Sequence, residues 1–467
     1  MAISEEAKSL AAFEPSAFGA IHAELQATFS SGKTKAIAWR KWQLKQFWWM
    51  VEDNEQAILD ALAADLGRHE MEGRAADLLG LKSDILEHLG HVDEWAATTR
   101  VADAGLLFGG LGRARLRKEP VGVVLVIGAW NFPFLLTLQP VIAAIAAGCC
   151  VVMKPSELAP ASERVMADLV HRYLDRSAVR LVRGGPEETT AVLQRRFDHI
   201  FFTGSSTIAR FVTAAAARHL TPTTLELGGQ CPAIVAQTAD VDLAARRIAY
   251  AKFLNAGQIC LSVNHVLVHP AVHHAFLARL EHWTRTFAAS GHMCRIISDR
   301  HYDRLARILD STQGTVIRTA ESSREERRLA SAIVSNVTMS DPVMSEELFG
   351  PICPVLKTDT VDAIAAVNSL PRPLGLYIFS ADKAEIETIQ NQTLSGGRPS
   401  TMPLCTPDVQ GLPLAVLGNL EWAITMASTA FWPLHTYVPW LSCLPIWTGS
   451  CRFVIRPTTH ATRAMLP

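Results

Sequence analysis

The sequence has almost no excess of charge, because 44 Lys and Arg residues balance 45 Asp and Glu residues and leave a formal net charge of −1. It therefore provides no basic field for nucleic acid. It also lacks an uninterrupted apolar run of the ~18 residues that a spanning helix needs, so membrane association is not supported. The opening residues carry charges and no apolar h-region, which indicates that a signal peptide is absent.

Regular cysteine spacing is missing as well. The nine cysteines favour reduced thiols, and we expect a cytoplasmic protein. No metal site is predicted. The length of 467 residues predicts two or three domains with ample interior for a core.

Hydrophobic periodicity predicts helices in residues 20–66, with Gly67 as the stop. One apolar face recurs at helical spacing and consists of Leu44, Phe47, Trp48 and Val51. From Val121 the pattern changes to short, continuous apolar runs separated by helical stretches, which is typical of parallel strands. These runs are 121–127, 149–153, 178–182, 199–202, 224–227, 231–235 and 265–268, with another near Val355. The predicted fold class is therefore α/β, with a largely parallel sheet and a second α/β region after Gly229.

A cysteine and a glutamate carry the strongest chemical signal. Cys260 ends the run F-L-N-A-G-Q-I-C, and Glu226 begins E-L-G-G at a separation compatible with one active site. A thiolate can attack a carbonyl carbon and form a thioester, which water activated by a carboxylate can hydrolyse. Taken alone, a cysteine is more often a buried structural residue, because free cysteines are usually buried, and only its context favours catalysis.

An uncharged donor stands at Asn131, immediately after a predicted buried strand, in W-N-F-P. An amide of this kind can stabilise a developing oxyanion. The alternative is an asparagine that caps its own turn.

The dinucleotide fingerprint G-x-G-x-x-G is absent. In its place Gly204-Ser205 follows a predicted strand and opens a helix whose N-terminus could face a pyrophosphate, or could simply be capped by the serine. Lys154 and Glu157 stand at the carboxyl edge of another strand, where α/β sheets bind ligands. They could also form an ordinary ion pair on a loop.

Six motifs in the same order and spacing show that the chain resembles an aldehyde dehydrogenase of the class three, fatty-aldehyde-like branch. The resemblance covers residues 20–397 and rests on P-V-G leading to I-G-A-W-N-F-P, K-P-S-E, F-T-G-S, E-L-G-G, the Cys260 motif and E-E-L-F-G-P. It implies a Rossmann-type cofactor domain, an α/β catalytic domain and a small oligomerisation element. The implied boundaries are 1–227 for the first domain, with the N-terminal helices, and 228–397 for the second.

The resemblance also implies roles for individual residues. Cys260 is the nucleophile, Glu226 activates water, and Asn131 with the Cys260 backbone N–H holds the oxyanion. NAD or NADP is the implied cofactor, a small aldehyde the substrate and a homodimer the assembly. The residues implied to bind the cofactor are Ile127, Trp130, Lys154, Glu157, Gly204, Ser205, Glu347 and Phe349. Ala209 stands where the family normally has glycine near the pyrophosphate.

The composition changes abruptly after Gly397. Residues 399–467 contain five charged side chains and no lysine, but nine prolines and four tryptophans. The family's L-P-F-G-G-V-G is missing, yet a reading shifted by one nucleotide converts the stretch beginning at Leu412 into one containing P-F-G-G-V-G. We therefore expect a frame change near residue 398 that leaves 398–467 poorly structured and weakens dimerisation. The alternative is a divergent apolar tail that binds a membrane or a partner.

Three functions follow from these observations. The first is NAD(P)-dependent oxidation of a medium- or long-chain aliphatic or aromatic aldehyde to its acid. The second transfers the thioester to coenzyme A, and is disfavoured because Glu226 is present to activate water. The third is a catalytically impaired or dead homologue with a scaffold role, which the altered tail suggests.

Overall fold

The computed structural model describes residues 18–101, 105, 108, 111–396 and the backbone of 435–440. The chain divides into two units, Met1–Ala96 with Glu119–Thr436, and Ala97–Lys118 with Tyr437–Pro467. A small three-stranded sheet in the order β1-β2-β14 consists of β1 (Thr99–Arg100), β2 (Arg115–Pro120) and β14 (His435–Trp440). Apart from that strand, the segment assigned to the frame change lies outside the described residues.

Helices form the N-terminal part, as predicted. They are α1 (Phe18–Ser30), α2 (Ile37–Glu52), α3 (Glu55–Leu66), α4 (Glu70–Gly73) and α5 (Leu79–Ala96), with a π-helix at Arg74–Leu78. Gly67 ends α3 with a φ of 60°, the left-handed conformation that glycine adopts without strain. Leu44, Phe47 and Val51 are fully buried, and Trp48 packs against the same core.

Five parallel strands form the next sheet in the order β5-β4-β3-β6-β7. They are β3 (Val123–Ile127), β4 (Cys150–Lys154), β5 (Val179–Leu181), β6 (His199–Gly204) and β7 (Thr223–Leu227). The intervening helices are α6 (Pro133–Ala147), α7 (Pro160–Tyr173), α8 (Pro186–Leu193) and α9 (Ser206–Ala217). The predicted strands of this region are confirmed.

A six-stranded sheet follows in the order β10-β11-β12-β9-β8-β13, parallel except where β10 pairs with β11. Its strands are β8 (Pro232–Val235), β9 (His265–Val268), β10 (Thr315–Arg318), β11 (Ala332–Ser335), β12 (Ile352–Lys357) and β13 (Tyr377–Phe379). Its helices are α10 (Val241–Phe253), α11 (His273–Ala288), α12 (Asp299–Ser311), α13 (Thr360–Ser369) and α14 (Lys383–Gln392), with 3₁₀ turns at Leu254–Gly257 and Pro342–Met344. A further 3₁₀ turn, Lys33–Lys35, lies between α1 and α2 in the N-terminal part.

The strand order of the five-stranded sheet indicates where a ligand crevice lies. The chain runs outward from β3 to β4 and β5, then returns to the other side of β3 for β6. Such a reversal opens a crevice at the carboxyl ends of the strands, where α/β proteins bind ligands. In the described residues, every helix is too short or too polar to cross a membrane.

Candidate active site

The loop before Cys260 has an unusual backbone. Asn255, Ala256 and Gly257 have φ values of 49°, 52° and 74°, so three consecutive residues occupy the left-handed region. A Cβ on Gly257 would lie 2.3 Å from the carbonyl oxygen of Gly350, which only glycine avoids. The chain therefore turns sharply between the end of α10 and the cysteine.

Two buried amide side chains hold this loop. Gln258 Nε2 donates to the carbonyls of Asn255 and Arg295, each at 3.0 Å, and Gln258 Oε1 accepts from the Ile297 backbone N–H at 3.0 Å. Asn255 Nδ2 donates to the Gln258 carbonyl at 3.2 Å. These bonds offset the backbone strain of the two non-glycine residues, Asn255 and Ala256, which costs roughly 1–3 kcal/mol for each.

Asn131 reaches the cysteine loop directly. It lies in the turn between β3 and α6, and its Nδ2 donates to the Gln258 carbonyl at 3.1 Å. Asn131 is only 3% exposed. One N–H of the amide is engaged and the other stays available for an oxyanion, because an amide nitrogen carries two protons. The structure therefore brings Asn131 and the Cys260 loop together.

The Cys260 side chain is half-buried and forms no disulfide with another cysteine in the part of the chain that the structure describes. Burial raises the pKa of its thiol, the charges of Glu347, Cys231 and Glu226 add to the effect, and the Leu261 backbone N–H opposes it. A thiol with a raised pKa is protonated near neutral pH, so a nearby base must accept its proton before attack.

Glu226 is close enough for its charge to affect the Cys260 thiol. It lies on β7, paired in register with Thr203 of β6, and is 8% exposed. The site thus combines a thiol, an amide donor and a buried carboxylate.

Glu347 lies against Gly228, where a Cβ would be 2.3 Å from Glu347 Oε1. Burial raises the pKa of Glu347 to about 7, although the Gly229 backbone N–H and the Lys252 ammonium lower it. Burial also lowers the pKa of Lys252 to about 8. Glu347 Oε1 is buried and accepts no hydrogen bond from the described residues, so it can receive a ligand hydroxyl.

The remaining cofactor candidates lie at the carboxyl ends of β3, β4 and β6. Lys154 is buried, which lowers the pKa of its ammonium, and its Nζ is 3.7 Å from the 41%-exposed carboxylate of Glu157. Ser205 caps α9 by accepting from the Ile208 N–H at 3.4 Å. Gly204 precedes it, and Ala209 is buried in the first turn.

An aromatic pair completes the crevice near β3. The Trp130 and Phe349 rings meet edge to face at 5.4 Å between centroids, and Ile127 ends β3 beside Phe202. Phe349 has a φ of 50°, so the residue that carries this ring has a strained, left-handed backbone.

Sequence reasoning gave no role to Arg68, Lys252, Asn255 or Gln258. Asn255 and Gln258 stand inside the quoted cysteine motif, but nothing in the motif shows that their amides hold the loop. Lys252 reads as one polar position of α10, although it is 1% exposed. Arg68 follows a helix stop, which usually indicates a surface loop.

A half-buried thiol, an amide donor and a buried carboxylate beside a doubly wound sheet define an enzyme of covalent catalysis on carbonyl groups. The chain belongs to the aldehyde dehydrogenase family, whose model matches residues 5–398. It is an NAD(P)-dependent, aldehyde-oxidising member by this relationship. The match ends one residue before the stretch of changed composition, in agreement with the predicted frame change.

Individual relatives agree with the class three assignment. Aldehyde dehydrogenase family 3 member A2 of Rattus norvegicus is 37% identical over 400 residues, which is 84% of this chain and 82% of the relative. The rat "Aldehyde dehydrogenase, dimeric NADP-preferring" is 36% identical over 402 residues, 84% of this chain and 87% of the relative. The substrate-bound Staphylococcus aureus AldH structure is 32% identical, with a TM-score of 0.88 over 92% of this chain and 95% of that one.

Proposed function

We propose that Cys260 is the nucleophile, that Asn131 and the Cys260 backbone N–H stabilise the oxyanion, and that Glu226 is the base. The hydrogen bond from Asn131 Nδ2 to the Gln258 carbonyl, 3.1 Å long, supports this proposal most strongly. This bond fixes the Asn131 amide against the carbonyl of Gln258, two residues before the thiol. Donors that are held in place in advance stabilise developing charge most effectively.

The reaction begins when the Glu226 carboxylate takes the proton of the Cys260 thiol, whose raised pKa keeps it neutral until then, and passes that proton to solvent. The sulfur attacks the aldehyde carbon, and the carbonyl π electrons move to the oxygen beside Asn131. Loss of the aldehyde hydrogen with its electron pair leaves a thioester on Cys260. Glu226 then takes a proton from water, whose oxygen attacks the thioester carbon. The C–S bond breaks, Glu226 returns the proton to the departing sulfur, and the carboxylic acid and the thiol are released.

The residues fit a nicotinamide dinucleotide, which accepts the hydrogen and its electron pair when bound. The unpartnered Glu347 Oε1 suits a ribose hydroxyl, and the start of α9 at Gly204-Ser205 suits a pyrophosphate. Ile127, Trp130 and Phe349 supply apolar surface for the ring system.

Lys154 and Glu157 would hold the adenosine ribose. The Glu157 carboxylate disfavours a 2′-phosphate, which supports NAD. A relative bears the name "NADP-preferring", which supports NADP. We propose that the protein accepts both.

The organisation of the site supports a division near residue 227. Lys154, Ser205 and Glu226 lie in the β3–β7 region, and Cys260 and Glu347 lie in the region of the six-stranded sheet. We assign residues 1–227 to cofactor binding and 228–397 to catalysis. The name of the dimeric relative supports a homodimer, and light scattering would test it. A cytoplasmic location also remains a proposal.

One assay tests the function. The purified chain receives decanal or benzaldehyde with NAD or NADP, and the absorbance of the reduced cofactor is followed with and without coenzyme A. Activity without coenzyme A supports aldehyde oxidation to the acid, a requirement for coenzyme A supports acyl transfer, and a folded but silent protein supports an impaired homologue. Cys260→Ser should abolish turnover, and retention of most activity would show that the nucleophile is wrongly assigned.

Sequencing the transcript across codons 390–405 tests the frame change. An inserted or missing nucleotide there supports it. An uninterrupted frame that encodes the residues as written would defeat it and favour a divergent tail.

A further inference from the structure

Arg68 contacts the backbone of the oxyanion residue. Its side chain is completely buried and donates from Nη1 to the Asp77 carboxylate and from Nη2 to the Asn131 carbonyl. The guanidinium also lies 4.6 Å from the Phe132 ring centroid. Arg68 thus fixes the turn that carries the Asn131 amide.

Asp77 fixes the same turn from its other end. Its Oδ1 accepts from the Leu135 backbone N–H at 3.1 Å, in the first turn of α6. Asp77 belongs to the π-helix Arg74–Leu78, and π-turns within helices are frequent at functional sites. The Arg68–Asp77 pair is therefore hydrogen-bonded to the Asn131 turn at one end and to the first turn of α6 at the other.

The segment that carries this pair also reaches the cysteine loop. Glu72 Oε1 accepts from the Asn255 backbone N–H at 2.9 Å. Asn255 Nδ2 donates to the Asn131 carbonyl at 3.0 Å, so that carbonyl receives one bond from Arg68 and one from the cysteine loop. Residues 68–77 consequently contact both halves of the site.

A buried ion pair of this kind adds little net stability, because desolvation offsets most of the attraction. It can still fix geometry, and a catalytic group displaced by 1 Å can lose about a hundredfold in rate. We propose that Arg68, held by Asp77, is a positioning residue: it keeps the Asn131 amide directed at the oxyanion that forms when Cys260 attacks the substrate carbonyl. The inference rests on the proposed function and deepens it.

The test separates reactions that need the oxyanion from those that do not. p-Nitrophenyl acetate acylates Cys260 through a tetrahedral oxyanion: a C–S bond forms, the C–O bond breaks, and p-nitrophenolate leaves with the electron pair. Iodoacetamide alkylates the same sulfur by direct displacement of iodide, with no oxyanion. Neither reagent requires the nicotinamide cofactor.

We expect Arg68→Met to slow acylation about tenfold or more and to leave alkylation within about twofold. Asp77→Asn, which is isosteric and keeps Oδ1 as an acceptor, should also slow acylation selectively, but by a smaller factor. Arg40→Met is the matched control, since Arg40 is also buried and donates to the Thr34, Lys35 and Ala146 carbonyls. It should lower the melting temperature with no selective effect on acylation.

A double-mutant cycle with Asn131→Ala decides the outcome. If Arg68 acts through Asn131, Arg68→Met has no further effect on acylation in the Asn131→Ala background. Equal losses in both backgrounds, or an equal loss of alkylation, would overturn the positioning role. Wild-type protein that neither reagent modifies at Cys260 would instead contradict the proposed nucleophile.

Discussion

The Asn131 turn and the Cys260 loop meet through two hydrogen bonds, one from Asn131 Nδ2 to the Gln258 carbonyl and one from Asn255 Nδ2 to the Asn131 carbonyl, but different forces shape them. The turn follows the buried strand β3 and leads into α6, so its position comes from regular βα geometry. The loop contains three consecutive left-handed residues and keeps its shape through contacts with residues 30 or more positions away, such as Ile297 and Gly350. Local sequence sets where the turn that carries the donor forms, and Arg68 and Asp77 then hold that turn. The shape of the loop that carries the nucleophile depends on tertiary contacts throughout.

Gly257→Ala tests the second half of this comparison and should have the largest effect. The new Cβ would lie 2.3 Å from the Gly350 carbonyl oxygen, so the loop must move and take Cys260 with it. Turnover should fall by ~1000-fold or more, toward the loss caused by removing a nucleophile. The measurement is steady-state aldehyde oxidation together with circular dichroism.

Gly291→Ala is the matched control for Gly257→Ala. Alanine at its φ of 70° carries the same backbone strain, but no atom of the described residues lies within 4 Å of the added Cβ. It should lower stability by about 1–2 kcal/mol without a comparable loss of turnover. Similar activity losses in both variants would mean that strain, and not displacement of the cysteine loop, controls the site.

Asn131→Ala tests the first half of the comparison. It removes the donor but leaves the βα turn, so kcat should fall about a hundredfold while alkylation of Cys260 stays nearly constant. Asn54→Ala is the control, since Asn54 Nδ2 also donates to a backbone carbonyl, that of Met50, at 3.0 Å. Loss of alkylation in the Asn131 variant would show that the amide supports the loop more than the oxyanion.

Glu347 links the cysteine region to cofactor binding, and its pKa of about 7 predicts a pH effect. A hydroxyl that donates to this carboxylate stabilises its ionised form and lowers its pKa on binding. Cofactor affinity should therefore increase as pH rises toward 7, by at most tenfold per unit, and level off above it. Glu347→Gln should flatten the profile measured by cofactor fluorescence, and an unchanged slope would exclude Glu347 as its source.

The same group affects stability without cofactor. Its folded-state pKa is raised above the ordinary value of 4.5, so the folded protein binds more protons between about pH 4.5 and 7. Stability from this group is complete below that range and declines as pH rises through it. Glu347→Gln should lose this decline in the melting temperature, and persistence of the full decline would assign it to other groups.

The sequence predicted the strands and the Asn131 turn because each depends on neighbours along the chain. Buried parallel strands appear as continuous apolar runs, and the donor follows one directly. Arg68, Asp77 and Lys252 were not predicted, because a buried charge looks like any surface charge until its partner is known. The left-handed backbone of Asn255 and Ala256 was not predicted either, because the residues that hold it come from other parts of the chain.

Ala256→Gly should have the smallest effect and measures the strain itself. Glycine relieves the left-handed backbone, which costs alanine about 1–2 kcal/mol. It also raises the entropy of the unfolded chain by about 0.4–1 kcal/mol and removes a buried methyl worth about 0.8 kcal/mol. Ala256 is 1% exposed, so these contributions nearly cancel, and urea unfolding should change by less than about 1 kcal/mol.

Ala245→Gly provides the contrast for this measurement, because Ala245 is equally buried but lies within the regular helix α10. There the same change removes a methyl and weakens the helix with no strain to relieve, so it should cost about 2 kcal/mol. If both variants lose the same stability, the backbone at Ala256 stores no strain. The hydrogen bonds of Asn255 and Gln258 would then not be needed to hold the loop in an unfavourable backbone conformation.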